Sequence, residues 1–190
     1  MDISVIAFLG LLLAVGALRI FELGVSRRNQ QRMIAQGATK VNEPRFGFLV
    51  FVHTAVLTGS GVEVVFLHRP FIPVLAGVML LLFLAGNAMR FWVVRTMGKH
   101  WNVQVMNSAD LGVVTSGPFR FVRHPNYAAV IVEMFSLPLI HTAWITALLG
   151  SVVHSIAISQ RIAMEESVLL SNPHYRTAMG GKPRFLPGLF

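Results

Sequence analysis

The stretch from Ser116 to Tyr127, S-G-P-F-R-F-V-R-H-P-N-Y, places Arg120, Arg123, His124, Asn126 and Tyr127 between two strongly apolar segments. No membrane requirement explains so many polar side chains in so short a run. Gly117-Pro118 reads as a turn and His124-Pro125 as a helix start, because proline fixes its own φ and moves the preceding residue out of the helical region. The arginines, the histidine and the tyrosine then collect at the amino-terminal end of an apolar helix, where the backbone dipole favours negative charge. One reading is a polar or anionic ligand held at a membrane surface. The other is a basic loop resting on lipid phosphates.

Working outward, composition settles the surroundings. Of 190 residues, 54% are hydrophobic and 13% charged, with mean hydropathy +0.64, which is the balance of an integral membrane protein. The absence of cysteine excludes disulfides, thiolate metal sites and a catalytic thiol. The formal charge of +8 sits on residues flanking apolar spans, without the interleaved aromatics of a nucleic-acid surface, so it reads as membrane orientation. Ile3 to Leu18 lacks a basic n-region and a small-residue cleavage site and is expected to be retained as a helix. Residues 1–190 are expected to form one domain, with three spans in 1–95 and the motif-bearing half in 96–190.

The expected spans are Ile3 to about Val25, Phe46 to Leu67 and Phe71 to Val94, with a polar loop from Arg27 to Arg45. Arg19 and Glu22, with Ser26 four residues on, make one face of the first span polar, and a snorkelling arginine with its glutamate at the interface is expected there. His53 is expected to bond between helices, and Asn87 and Arg90 are polar exceptions in the third span. Arg95 to Thr115 reads as amphiphilic and non-spanning, with Trp92 and Trp101 in the interfacial belt. Ala128 to Ile158, broken by Pro138 and His141-Thr142, is too long for one span and short for two, so a helical hairpin is expected. The fold class is therefore all-α and membrane-integral, with about five transmembrane helices, the last two a hairpin, and a cytosolic pocket. Three segments carry thirteen Lys and Arg between them, against Arg69 alone between the second and third spans; this puts the Gly98 to Met106 segment, the opening motif and the tail on the cytoplasmic side.

On that face the tail supplies Arg161 and Glu165, one helical turn apart, and Glu166. Paired carboxylates can act as general base or accept from ribose hydroxyls, and they can also be an ordinary solvated ion pair with Arg161. His100, His124 and His174 show no established ligand spacing with these acids, so no metal site is expected. No phosphate loop and no nucleophile elbow is evident, which removes most of the case for a kinase or hydrolase.

G-P-F-R-F-V-R-H-P-N-Y at Gly117 to Tyr127, R-I-A-M-E-E-S-V-L-L at Arg161 to Leu170 and N-P-H-Y-R-T-A-M at Asn172 to Met179 together resemble the isoprenylcysteine carboxyl methyltransferase family of integral membrane methyltransferases. R-I-F-E-L-G-V-S-R-R-N at Arg19 to Asn29, His53 and G-K-H-W-N at Gly98 to Asn102 are similar to a bacterial branch associated with type III polyketide synthases, which O-methylates alkylpyrones or alkylresorcinols. The resemblance implies S-adenosylmethionine in a cytosolic pocket, with a lipophilic acceptor arriving through a lateral opening between helices, in a bacterial inner membrane. Carried over by position, His124, Pro125 and Tyr127 line the cofactor site with Arg120 nearby, and Glu165 and Glu166 hold its polar end. Arg161 or Arg123 meets a carboxylate or the acceptor, and Glu165 or His100 is the base for a phenol. The chain departs from eukaryotic members in its few amino-terminal spans and in Trp101-Asn102-Val103, which favours a small amphiphile over a prenylated protein. A prenylcysteine-like acid, an amino lipid, an NADPH-dependent sterol-reductase-like reaction and a lipid-binding scaffold are the rival readings.

Overall fold

The computed structural model describes residues 2–108 and 111–185. Five long elements form a helical bundle: α1 (Ile3–Ala35), α2 (Phe46–Phe66), α3 (Pro73–Met97), α4 (Pro125–Leu139) and α5 (Trp144–Leu169), followed by a short α6 (Pro173–Met179). Among the described residues, α1, α2, α3 with its 3-10 extension to His100, and α5 are long and apolar enough to cross a membrane. At 15 residues, α4 rises only about 22 Å, less than the roughly 30 Å of a hydrocarbon core. The bundle is an integral membrane fold, and many large apolar side chains, among them Leu13, Leu81 and Leu148, stand on its outer surface.

The expected hairpin is present, with Pro138 in the last turn of α4 and residues 140–143 turning the chain. Its turn is built into the far end of the bundle. Thr142 donates to the Pro70 carbonyl at 2.6 Å, and Glu63 of α2 accepts from the backbone N–H groups of Ile145 (3.0 Å) and Thr146 (2.7 Å). Glu63 thus serves the first turn of α5 as a carboxylate serves any helix start, by accepting from N–H groups that have no partner within the helix. Phe8, Leu12 and Val15 of α1 pack there against Val64, Phe83, Leu137 and Ala143.

Three local expectations are corrected. The helix of α1 does not end near Val25 but continues through Arg27, Arg28 and Arg32 to Ala35. Nothing in that stretch breaks a helix before Gly37, and tertiary contacts reward its continuation: Asn29 donates to the carbonyls of Trp101 (2.8 Å) and Gly98 (3.2 Å), and Ser26 accepts from the Val103 N–H at 3.0 Å. Trp101 is only 2% exposed and is not an interfacial anchor, because the 98–106 segment is laid down over α1. His53 bonds within its own helix, to the Leu49 carbonyl at 2.8 Å. A two-residue antiparallel ladder, β1 (Thr39–Lys40) with β2 (Met106–Asn107), is an addition to the all-α expectation.

Candidate functional site

The chain enters α4 through a 3-10 turn, Gly117–Arg120, that the sequence sets with Gly117 at φ 57 and Pro118 behind it. His124 is the residue before the helix, Pro125 its first position, and Tyr127 stands in the first turn. Opposite lies the last half of α5. Tyr127 donates its hydroxyl to Glu165 and accepts from Arg161 Nε at 2.9 Å. Arg161 is fixed from its other side, donating to the Val103 carbonyl and pairing with Glu43 at 3.3 Å, with its guanidinium over the Phe46 and Tyr127 rings. One turn of α4 and one turn of α5 therefore present Tyr127, Arg161 and Glu165 as a bonded set.

Glu166 faces the other way. Its carboxylate takes His124 Nε2 at 3.0 Å, Arg123 at 3.3 Å and Arg184 at 2.6 Å. The tail completes this clasp through its backbone, since the N–H groups of Arg123 and His124 donate to the carbonyls of Pro183 and Arg184, both at 2.9 Å. The Glu166 carboxylate raises the Arg184 guanidinium above its ordinary value. Sequence alone could treat Glu165 and Glu166 as one acidic pair, but consecutive helical residues point about 100° apart. The structure gives them separate partners.

A cavity of about 400 Å³ opens between these elements. Its polar end is lined by Arg123, His124, Pro125, Asn126, Tyr127, Arg161 and Glu165, and it continues between α1, α2 and α3 past Leu49, His53, Leu57, Arg19 and Arg90. Three buried polar atoms of its wall have no hydrogen-bond partner among the described residues: Arg123 Nε, Asn102 Oδ1 and Asn126 Oδ1. A smaller recess of about 140 Å³ adjoins it, sharing Arg123 and Glu165 and adding His100, Leu169 and Tyr175. Burial, helped by the charge of Glu165, pushes the Tyr175 hydroxyl up to about 12. On the α2–α5 side a further hollow of about 210 Å³ is walled by Phe46, Phe48, Leu49, Ala157, Arg161 and Met164, so Arg161 is reached from two directions.

Of the residues expected from sequence, Arg123, His124, Pro125, Tyr127, Arg161 and Glu165 line the large cavity. His100 lies in the adjoining recess, Glu166 is in the tail clasp, and Arg120 is exposed, its guanidinium 5.3 Å from the Phe121 ring centre. Sequence reasoning missed Glu43, which fixes Arg161, and Glu133, which is 1% exposed and pairs with Arg19 at 2.8 Å. Arg19 and Arg90 both bond Glu22, at 2.8 and 2.7 Å, so the polar face of α1 is an intramembrane charge network and not a snorkelling pair. A lone acid within the apolar run at Ala128 to Ile158 was the available signal for Glu133.

Residues 78–171 match the sequence model of the isoprenylcysteine carboxyl methyltransferase (ICMT) family. Over that stretch the chain is similar to the ICMT family. The fold agrees: the structure of the eukaryotic intramembrane Ras methyltransferase ICMT superposes with a TM-score of 0.67, covering 98% of this chain and 70% of that one at 21% identity. The chain is also similar to YpbQ, an uncharacterized protein of Bacillus subtilis, at 28% identity over 151 residues, covering 80% of this chain and 89% of that protein. An uncharacterized protein of Haemophilus influenzae is 29% identical over 155 residues, with the same coverage. The ICMT match encloses α4, α5 and the Tyr127–Arg161–Glu165 set.

Proposed function

We propose that this membrane protein is an S-adenosylmethionine-dependent methyltransferase that alkylates an oxygen of a lipophilic small molecule of the alkylpyrone or alkylresorcinol kind. The observation that carries the reading is the cavity, whose polar end holds Tyr127, Arg161 and Glu165 and whose remainder runs between membrane helices. The residues present fit the cofactor. Its carboxylate needs N–H donors, its amino groups need acceptors, and the wall offers the unpartnered Arg123 Nε with Asn102 Oδ1 and Asn126 Oδ1. Bound there, S-adenosylmethionine supplies an electrophilic methyl group on a sulfonium.

The remaining work belongs to the chain. Glu165 accepts hydrogen bonds beside the ring of Tyr127, whose face attracts a cation. His124 and Pro125 close the polar end, and the clasp at Glu166 holds the tail over it, keeping water out. Arg161, pinned by Glu43 and Val103, keeps Tyr127 in one orientation, and this set would position the acceptor beside the cofactor's methyl group. Residues 1–95 form the wall along which the alkyl chain lies, residues 96–190 the transfer half, and the hollow between α2 and α5 is the lateral entry. The distribution of Lys and Arg supports a site facing the cytoplasm of a bacterial inner membrane, where a type III polyketide synthase could deliver the acceptor.

A prenylcysteine-type acid remains the second reading, favoured by the family match. Calorimetric titration of the detergent-purified protein with S-adenosylhomocysteine, with NADPH alongside, tests the class. Saturable binding of the homocysteine compound, weakened in Glu165→Ala, is expected; binding of NADPH alone would refute it. Label transfer from methyl-labelled cofactor to an alkylresorcinol and to a prenylcysteine then separates the acceptors.

A further inference from the structure

The cavity wall holds one basic nitrogen that the site described above leaves unused. His53 of α2 lines the cavity, and its Nδ1 lies 2.8 Å from the Leu49 carbonyl. A carbonyl oxygen can only accept, so Nδ1 carries the hydrogen, and in the neutral ring Nε2 is left as an acceptor with its lone pair free. That nitrogen has no partner among the described residues and is not one of the buried, unsatisfied atoms, and it belongs to a side chain that lines the cavity. His154 of α5 holds the ring from behind, edge to face at 4.9 Å between centres. The other groups facing it are Arg19 and Glu22 of α1, Arg90 of α3 and Arg161 of α5.

The competing bases are committed. Glu22 receives both Arg19 and Arg90, the latter through two bonds of 3.0 and 2.7 Å. Glu165 receives the Tyr127 hydroxyl, and His100 lines the neighbouring recess and not this cavity. His53 instead sits between Leu49, Val50 and Leu57, in the apolar stretch where a lipid would lie.

We propose that His53 is the general base that receives the proton of the acceptor hydroxyl, which makes the acceptor a lipid phenol and not a carboxylic acid. The proposal rests on the methyltransferase reading. The hydroxyl proton passes to His53 Nε2, and the oxygen lone pair forms the new C–O bond to the methyl carbon. Sulfur keeps the pair of the bond that breaks, and the ring later returns its proton to water. A carboxylate acceptor, already ionised at neutral pH, has no use for this base.

The test uses the full chain in detergent and a long-chain alkyl nitrophenol, whose phenolate form is coloured. At a pH below the probe's own pKa, wild-type protein is expected to bind it as the coloured phenolate. His53→Gln and His53→Asn, whose amides can still donate to Leu49, are expected to bind it without colour and to keep S-adenosylhomocysteine affinity within about threefold. Methyl transfer to an alkylresorcinol is expected to fall on the order of 100-fold or more in both variants, and to recover with an acceptor already ionised at the assay pH. Colour and transfer unchanged in either folded variant, with S-adenosylhomocysteine still bound, would overturn the base while leaving the methyltransferase reading intact. No S-adenosylhomocysteine binding by folded wild-type protein would overturn both.

Discussion

Glu166→Gln should release the tail from the head of α4. The carboxylate serves three side chains, of which Arg184 is 47% exposed, Arg123 13% and His124 3%. An amide keeps one acceptor oxygen and turns an N–H group toward the other donors, so at least one buried donor loses its partner. A charge-assisted bond contributes about 1.5–3 kcal/mol, whereas the half-exposed Arg184 pair is screened and adds under about 1 kcal/mol. The Arg123 contact is long, at 3.3 Å, so a total of about 2–4 kcal/mol is expected. The direct reporters are the backbone N–H groups of Arg123 and His124, held by the carbonyls of Pro183 and Arg184. If the clasp opens as a unit, hydrogen exchange at these two amides should quicken by about 30- to 900-fold, at one factor of ten per 1.36 kcal/mol. Arg184→Ala, which removes only the exposed partner, should quicken them by less than about tenfold. Exchange in Glu166→Gln within about threefold of wild type would refute the reasoning, because the clasp would then rest on the backbone bonds alone.

Glu63→Ala should lower stability by about 3–5 kcal/mol, seen as a fall in thermal midpoint, since it strips the first turn of α5 and leaves Arg69 without its partner; Glu63→Gln should lose less. Gly117→Ala should destabilise the 3-10 turn by more than about 1 kcal/mol, because a Cβ there would clash with Thr96 Oγ1 at a φ of 57; Thr96→Ala should restore only the steric part, since the backbone strain stays. Tyr175 titrates near 12 in the folded protein, so its contribution to stability is complete below about pH 10 and is lost as pH rises through about 12. In Tyr127→Phe, which leaves Tyr175 as the single tyrosine, the phenolate absorbance should appear near pH 12 in folded protein and near pH 10 after denaturation.

The sequence by itself determined the membrane class, the helical hairpin and the residues of the polar end. These depend on quantities local to the chain: the length of apolar runs against a bilayer about 30 Å thick, the proline at position 125 that starts α4, and the one-turn spacing that puts Arg161 and Glu165 on one face. Only the tertiary structure decided how those residues divide their work. Glu165 and Glu166 are neighbours in sequence, yet one faces the cavity and the other holds the tail, because their partners come from α4 and from residues more than a helical turn away. The run from Arg27 to Arg32 read as loop because its polarity excluded it from the membrane, but the helix continues where Asn29 and Ser26 find backbone partners beyond residue 97. Glu43 carried no local pattern, and Glu133 only that of a lone acid in an apolar run. Their significance comes from Arg161 and Arg19, more than a hundred residues distant in the chain, brought within 3.3 and 2.8 Å by the packing of the bundle.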